Sequence, residues 1–177
     1  MGKVVLYIAV SLDGYIARPD GNLDWLFALP NPGQIDHGYA EFLSTIGDIV
    51  MGRSTYNEII GFDMDWPYKG INTYVISNNT ELKLSSPGTF LLSDGIPGFI
   101  DNLKTNSPKD IWLTGGGKLV ACFLAKGLID RMILSLIPVI LGEGIPLFPG
   151  KLPESGWALS NVESFTTGVV SLTYDKK

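Results

Sequence analysis

Short apolar runs recur along the chain, with helical patterns between them. Residues 4–10 form a continuous, β-branched run, and shorter runs at 48–51, 73–76, 89–92 and 111–113 are each bounded by turn or polar residues. Apolar runs of this length predict buried strands. Between them, Tyr39, Phe42, Leu43 and Ile46 keep the i, i+3, i+4, i+7 spacing of one helix face. Tyr56, Ile59 and Ile60 do the same over a shorter stretch, with Thr55 and Glu58 spaced as a capping box at its start. Ile96, Phe99, Ile100 and Leu103 mark a third helix. Leu119, Cys122, Phe123 and Lys126 mark a fourth, stopped by Gly127. In the last third, 129–136, 157–165 and 169–174 read as strands with no helix between them, and Thr166-Thr167-Gly168 reads as a hairpin turn. Strand–helix alternation followed by strands alone predicts a mostly parallel sheet extended by antiparallel strands. Gly and Pro are spread through the loops rather than collected in a linker, so residues 1–177 are expected to form one domain.

Composition narrows the function classes. The chain has 177 residues, 13 Lys+Arg against 18 Asp+Glu, a formal net charge of −5 and 45% hydrophobic residues. That is ample material for a packed core and argues against disorder. An acidic chain without a basic run releases few phosphate counterions, so no nucleic-acid partner is expected. The longest apolar stretch, 132–141, is interrupted by Ser135 and Pro138 and falls short of the ~20 residues a membrane span needs. No signal-peptide pattern opens the chain. The single Cys122 fits a reducing compartment, so a cytoplasmic protein is expected. One cysteine and one histidine, His37, exclude a Cys/His zinc site, and no metal is expected. A Ser–His–Asp triad would have to use His37, and no Gly-x-Ser-x-Gly elbow supplies a nucleophile. Cys122, on an apolar helix face, reads as a core thiol.

Two strand-to-helix junctions carry candidate chemistry. In the first, a buried run ends in Gly52-Arg53-Ser54-Thr55. Backbone N–H groups at a helix start favour an anion, and Arg53 offers a planar fork to phosphate. The plain alternative is that a hydroxyl caps the helix and Arg53 points to solvent. The second is Gly115-Gly116-Gly117-Lys118-Leu119, where three glycines let backbone approach a ligand or form an anion nest, or else a tight turn. Neither is a Gly-x-Gly-x-x-Gly fingerprint or a P-loop. Two anion-ready junctions at the carboxyl end of one sheet suit a ligand with two phosphate groups, or a dinucleotide. The loop through Asp13-Gly14 to Asp24-Trp25 leaves the first strand at that same end and reads as a lid or, more plainly, as a turn and a hydrophobic plug. The scarcity of acid–base machinery suits hydride transfer, where the cofactor carries the difficult chemistry.

Five segments in order, residues 8–14, 51–56, 115–117, 127–130 and 138–148, resemble the dihydrofolate reductase-like family. They are more similar to the reductase domain of riboflavin-biosynthesis deaminase–reductases and its small single-domain relatives. The resemblance implies a three-layer α/β/α fold with a central, mostly parallel, mixed eight-stranded sheet. It implies NADPH as cofactor and a homodimer, although the apolar strand at 132–141 is equally explained as internal core. Carried over by position, Ala9 and Ile16 would line the nicotinamide, and Gly52, Arg53, Ser54 and Thr55 would hold phosphates. Ser77 and Asn78 would meet the adenosine ribose or its 2′-phosphate. Gly115, Gly116, Gly117, Lys118 and Leu119 would pass under the pyrophosphate and nicotinamide. Asp13, Trp25 and Asp36 would face a small-molecule substrate, with Asp13 or Asp36, or an ordered water, settling the proton; a helix N-cap is an equal explanation for Asp36. The implied activity is reduction of a pyrimidine- or pterin-like ring, most like 5-amino-6-(5-phosphoribosylamino)uracil reductase. The alternatives are dihydrofolate reductase or a non-catalytic NADPH-binding sensor.

Overall fold

The computed structural model describes residues 1–62 and 64–177. In chain order the elements are β1 (Val4–Ser11), β2 (Tyr15–Ala17), α1 (Asp24–Phe27), α2 (Tyr39–Ser44), β3 (Ile46–Gly52), α3 (Arg53–Gly61), β4 (Asn72–Ile76) and β5 (Thr89–Leu92). There follow α4 (Ile96–Asn106), β6 (Asp110–Gly115), α5 (Gly117–Ala125), β7 (Arg131–Ile137), β8 (Ile145–Pro146), β9 (Trp157–Ser164) and β10 (Val170–Lys176). Eight strands form one sheet in the order β5-β4-β3-β6-β1-β7-β10-β9. The six from β5 to β7 are parallel, and β10 and β9 add antiparallel at one edge. The mostly parallel sheet with antiparallel C-terminal strands is therefore as expected.

Helices cover both faces, which is why the central strands read as unbroken apolar runs rather than alternating ones. Val4, Leu6, Val10, Val50, Leu113 and Met132 pack under Ile100 of α4 and Leu119, Val120 and Phe123 of α5. On the other face Ile49, Met51, Val75 and Trp112 pack under Tyr56 of α3, with Tyr39 and Phe42 of α2 against the same cluster. Trp25 of α1 covers Ile137 and Val169 farther along that face. Asp130 ties the start of β1 down: its carboxylate accepts from the Val4 N–H at 2.7 Å and pairs with Lys104 Nζ at 2.7 Å.

Several expected boundaries shift. The helix face drawn through Ile46 ends at Ser44; Ile46 is 2% exposed in β3 instead. The proposed Thr55–Glu58 capping box does not form. α3 starts two residues earlier, at Arg53, with Gly52 as an N-cap that makes no side-chain bond. The hairpin at 166–168 is present, with Gly168 at φ 86° and its N–H donating to the Phe165 carbonyl at 2.9 Å. The short elements β2, α1 and β8 had no counterpart in the apolar pattern.

Candidate active site at the carboxyl ends of the strands

The two glycine junctions meet. β3 and β6 are neighbours, with Met51 in register with Gly115, so α3 and α5 both start at the same end of adjacent strands. A Cβ placed on Gly52 would lie 3.6 Å from the Gly115 carbonyl oxygen and 3.8 Å from the Gly116 nitrogen. One placed on Gly116 would lie 3.7 Å from Thr55 Oγ1. The first N–H groups of both helices, which have no partner within their own helix, therefore converge on one spot with the positive ends of two dipoles behind them. This is also where chain connections reverse: β3, β4 and β5 step toward one edge, and β6 returns to lie between β3 and β1. Ligands of open α/β sheets gather at such points. Arg53, Ser54 and Lys118 are exposed there.

Not every glycine of the run serves this spot. A Cβ on Gly117 would collide with the Pro146 carbonyl and stand 3.3 Å from Pro149, so its smallness admits the protein's own β8 segment. Leu119 and Ile16 are 8% and 9% exposed inside the α5-side core, and a Cβ on Gly52 would lie 4.0 Å from the Leu119 Cβ. Ser77 ends β4 with its hydroxyl accepting from the Asn79 N–H at 3.1 Å, beside exposed Asn78.

Both candidate acids have other work. The Asp13 carboxylate accepts from Ser11 Oγ at 2.6 Å and from the Leu141 and Gly142 N–H groups at 3.1 and 2.7 Å, pinning the loop after β1 to the segment before β8. The Ser11 hydroxyl, and then the two backbone donors, hold its pKa below the usual carboxylate value. The Asp36 carboxylate accepts from the Ala40 and Gly38 N–H groups at 3.0 and 3.1 Å, and these bonds likewise lower its pKa. Asp36 thus reaches over the Gly38 N-cap to satisfy a first-turn N–H of α2, and both carboxylates are exposed. Both candidate carboxylates make structural hydrogen bonds to backbone N–H groups.

A row of small residues crosses the sheet beside this point. Register aligns Ala9 with Ser135 and Ser135 with Ser171, so three small residues from β1, β7 and β10 lie side by side on one face. One row over, Tyr7, Ile133 and Thr173 align, and the row on the other side holds Ile137. Tyr7 stacks on Phe42 at 4.3 Å between ring centroids. Burial pushes its hydroxyl pKa up, partly offset by a hydrogen bond with Ser135. Trp25 roofs the other row against Ile137 and Val169, with Ala9 and Phe165 at its margin. Trp25 is 4% exposed, and its indole N–H has no hydrogen-bond partner. A buried unpaired donor costs about 1–3 kcal/mol and calls for an explanation. His37 Nε2 lies 2.8 Å from Thr167 Oγ1, joining the turn before α2 to the β9–β10 hairpin.

Comparison with known proteins places this arrangement. Residues 2–171 match the RibD C-terminal domain. The chain belongs to that family. It is 38% identical over 167 residues to the uncharacterised protein YwjB of Bacillus subtilis (strain 168), covering 94% of each. A Shewanella sp. PV-4 structure assigned to riboflavin biosynthesis superposes with a TM-score of 0.88 at 33% identity, over 99% of both chains. Two more distant structures share the fold. One is the deaminase/5-amino-6-(5-phosphoribosylamino)uracil reductase of Thermotoga maritima, with a TM-score of 0.72 and 17% identity over 99% of this chain and 57% of that one. The other is dihydrofolate reductase of Enterococcus faecalis complexed with NADP(H), with a TM-score of 0.71 and 17% identity over 99% and 97%.

Within this RibD-type chain the structure brings together Gly52, Arg53, Ser54, Thr55, Gly115, Gly116 and Lys118 at one end, with Ala9 and Trp25 beside them. It assigns Asp13, Asp36 and Gly117 to holding the frame. Tyr7 and Ser171, and any place for Ser135 beyond interrupting an apolar run, are not marked by the sequence pattern. The available signal was a hydroxyl interrupting an apolar strand twice, at Ser135 and Ser171, both buried.

Proposed function

We propose that the chain is an NADPH-dependent reductase acting on a pyrimidine- or pterin-like ring, most like an aminouracil reductase. The reading is carried by the meeting of the α3 and α5 N-termini at glycines close enough that a Cβ on Gly52 would sit 3.6 Å from the Gly115 oxygen. Such a spot fits the paired phosphates of a dinucleotide, and the distant relatives' own names supply the reductase precedent. The backbone N–H groups at the starts of α3 and α5 hold the pyrophosphate. Arg53, with Ser77 and Asn78, faces the adenosine ribose and its 2′-phosphate. When bound, the nicotinamide supplies the hydride. Ala9 forms the floor beneath it, and Trp25 excludes water and offers its free N–H to the ring being reduced. Asp13 keeps the lid loop in place. The proton comes from solvent, because Asp13 and Asp36 are held ionised. The reading includes a homodimer, since the edge strand β9 is exposed along nearly its whole length.

Consumption of NADPH in the presence of pyrimidine and pterin substrates tests the reading. Steady oxidation with one of them is the expected result. The hydrogen bonds that occupy Asp13 and Asp36 favour a second reading, a non-catalytic NADPH-binding sensor. Tight NADPH binding without turnover on any substrate would establish that instead.

A further inference from the structure

The substrate half of the site has a charge character of its own. Every cation on β1, β2, α1, α2, β7 and β9, and in the loops joining β1 through α2, is already paired among the described residues. Arg18 Nε lies 2.6 Å from Asp24. Arg131 makes a two-pronged contact with Asp175 at 2.9 and 3.1 Å, and Lys3 reaches the same carboxylate at 3.6 Å. The unpaired cations at the carboxyl end are on the cofactor side. Arg53 and Lys118 start α3 and α5. Lys83 lies in the β4–β5 connection, and Lys151 follows Pro149, which packs on Gly117.

A groove of about 460 Å³ adjoins the Ala9–Ser135–Ser171 row at Ser171 and runs between α2 and β9–β10 toward the amino ends of β1, β6 and β7, where Val5, Asp110 and Arg131 line it. It is lined by Tyr7 and Ser171 on its floor, by Glu41 on one wall and by Asn161 and Glu163 on the other. Asp110 adds a third carboxylate, while the Arg131 in its lining is the one neutralised by Asp175. The floor and walls thus offer hydroxyl, amide and carboxylate oxygen together with the His37 imidazole, whose Nε2 already meets Thr167 Oγ1 at 2.8 Å, and among the described residues no Lys or Arg of the lining is unpaired. A phosphate or a carboxylate tail placed there meets like charge in a partly desolvated cleft, which costs far more than in water.

We propose that this groove holds the substituent of the substrate ring, and that the substituent carries hydroxyl and amino groups and neither phosphate nor carboxylate. The proposal rests on the reductase reading above and narrows it. The chain then reduces an unphosphorylated heterocycle, unlike a relative whose substrate carries a ribose phosphate. Amino and hydroxyl groups of the ligand donate to Glu41, Glu163 and the Asn161 carbonyl oxygen, and the ring lies over Ala9, Ser135 and Ser171 beneath the Trp25 N–H.

Calorimetric titration of the protein loaded with NADP⁺, which cannot deliver a hydride, with two matched pairs tests this. One pair is 5-amino-6-(5-phosphoribosylamino)uracil and its dephosphorylated form. The other is dihydrofolate and a dihydropterin lacking the glutamate tail. The uncharged member of a bound pair is expected to bind at least roughly tenfold more tightly. Glu41→Lys with Glu163→Lys, two exposed positions, is expected to shrink that preference by about tenfold without changing NADPH affinity. Equal or tighter binding of the phosphorylated or glutamylated member would overturn the proposal and leave the reductase reading standing. An unchanged preference in the double variant would overturn the assignment of the groove. Failure of both pairs with NADPH binding intact would overturn the heterocycle reading and this proposal with it, whereas failure of NADPH itself to bind would remove the cofactor site.

Discussion

Trp25 holds two roles in one side chain. Its rings fill the space over Ile137 and Val169, and its N–H is buried without a partner. Trp25→Phe keeps most of the first and deletes the second. It is expected to leave the melting temperature little changed, because an unsatisfied donor is removed along with some apolar area. It is expected to weaken substrate binding about three- to tenfold, the worth of one hydrogen bond. A purely packing role for Trp25 would shift stability and leave KM alone. Asp13→Asn and Asp36→Asn divide the other way. Each carboxylate accepts backbone N–H bonds, so each variant is expected to melt earlier while keeping kcat within about threefold, far from the 10²–10⁴-fold of a lost general acid. A hundredfold fall in kcat at an unchanged melting temperature would restore a catalytic carboxylate. These two acids show where single residues were legible. Residue type and loop position marked both as candidates, but whether a carboxylate is a cap or an acid depends on which N–H groups fold back onto it, and that is not written in spacing.

The proposed phosphate site is made by the starts of α3 and α5 together. Gly116 has an ordinary φ of −77°, and a Cβ there would make only ordinary contact with Thr55 Oγ1. Gly116→Val is therefore expected to fold, yet to weaken NADPH binding at least roughly tenfold by filling the space above both helix ends. Circular dichroism and a cofactor titration read the two effects separately. Wild-type affinity in a folded Gly116→Val protein would move the cofactor elsewhere. At this level the sequence was most informative: the long strands and helices followed from their periodicity, because two-faced burial makes central strands continuously apolar. β2, β8 and α1 were not legible. Tyr15 and Ala17 pair with Pro146 and Ile145, some 130 residues away, and α1 is one turn long. Such pieces are held by non-local contacts and have no pattern of their own. The same holds for Gly117, which looked like a ligand glycine until β8 was seen packed against it.

The outer part of the sheet ties stability to pH. The Arg131 guanidinium holds the Asp175 carboxyl down at about 2, below its usual 3.8. A carboxylate whose pKa falls on folding stabilises the fold fully above its unfolded value and loses that contribution as pH falls from near 4 toward 2. Both side chains stay about a third exposed, so the contribution is on the order of 1 kcal/mol. Asp175→Asn is expected to melt several degrees lower at neutral pH and to converge with the wild type near pH 2, as melting curves across that range would show. A constant gap down to pH 2 would mean the pair is not what holds β7 to β10. The ordering of strands about β1, with β6 inserted between β3 and β1, is the global feature that brings residues 52 and 115 together. No local pattern discloses it; only the resemblance to a known fold implies it. The most direct measurement is a crystal structure of the chain with NADPH. The account predicts the pyrophosphate against the N–H groups that open α3 and α5, with the nicotinamide over Ala9; a dinucleotide bound at any other surface, with Gly52 and Gly116 untouched, would contradict it.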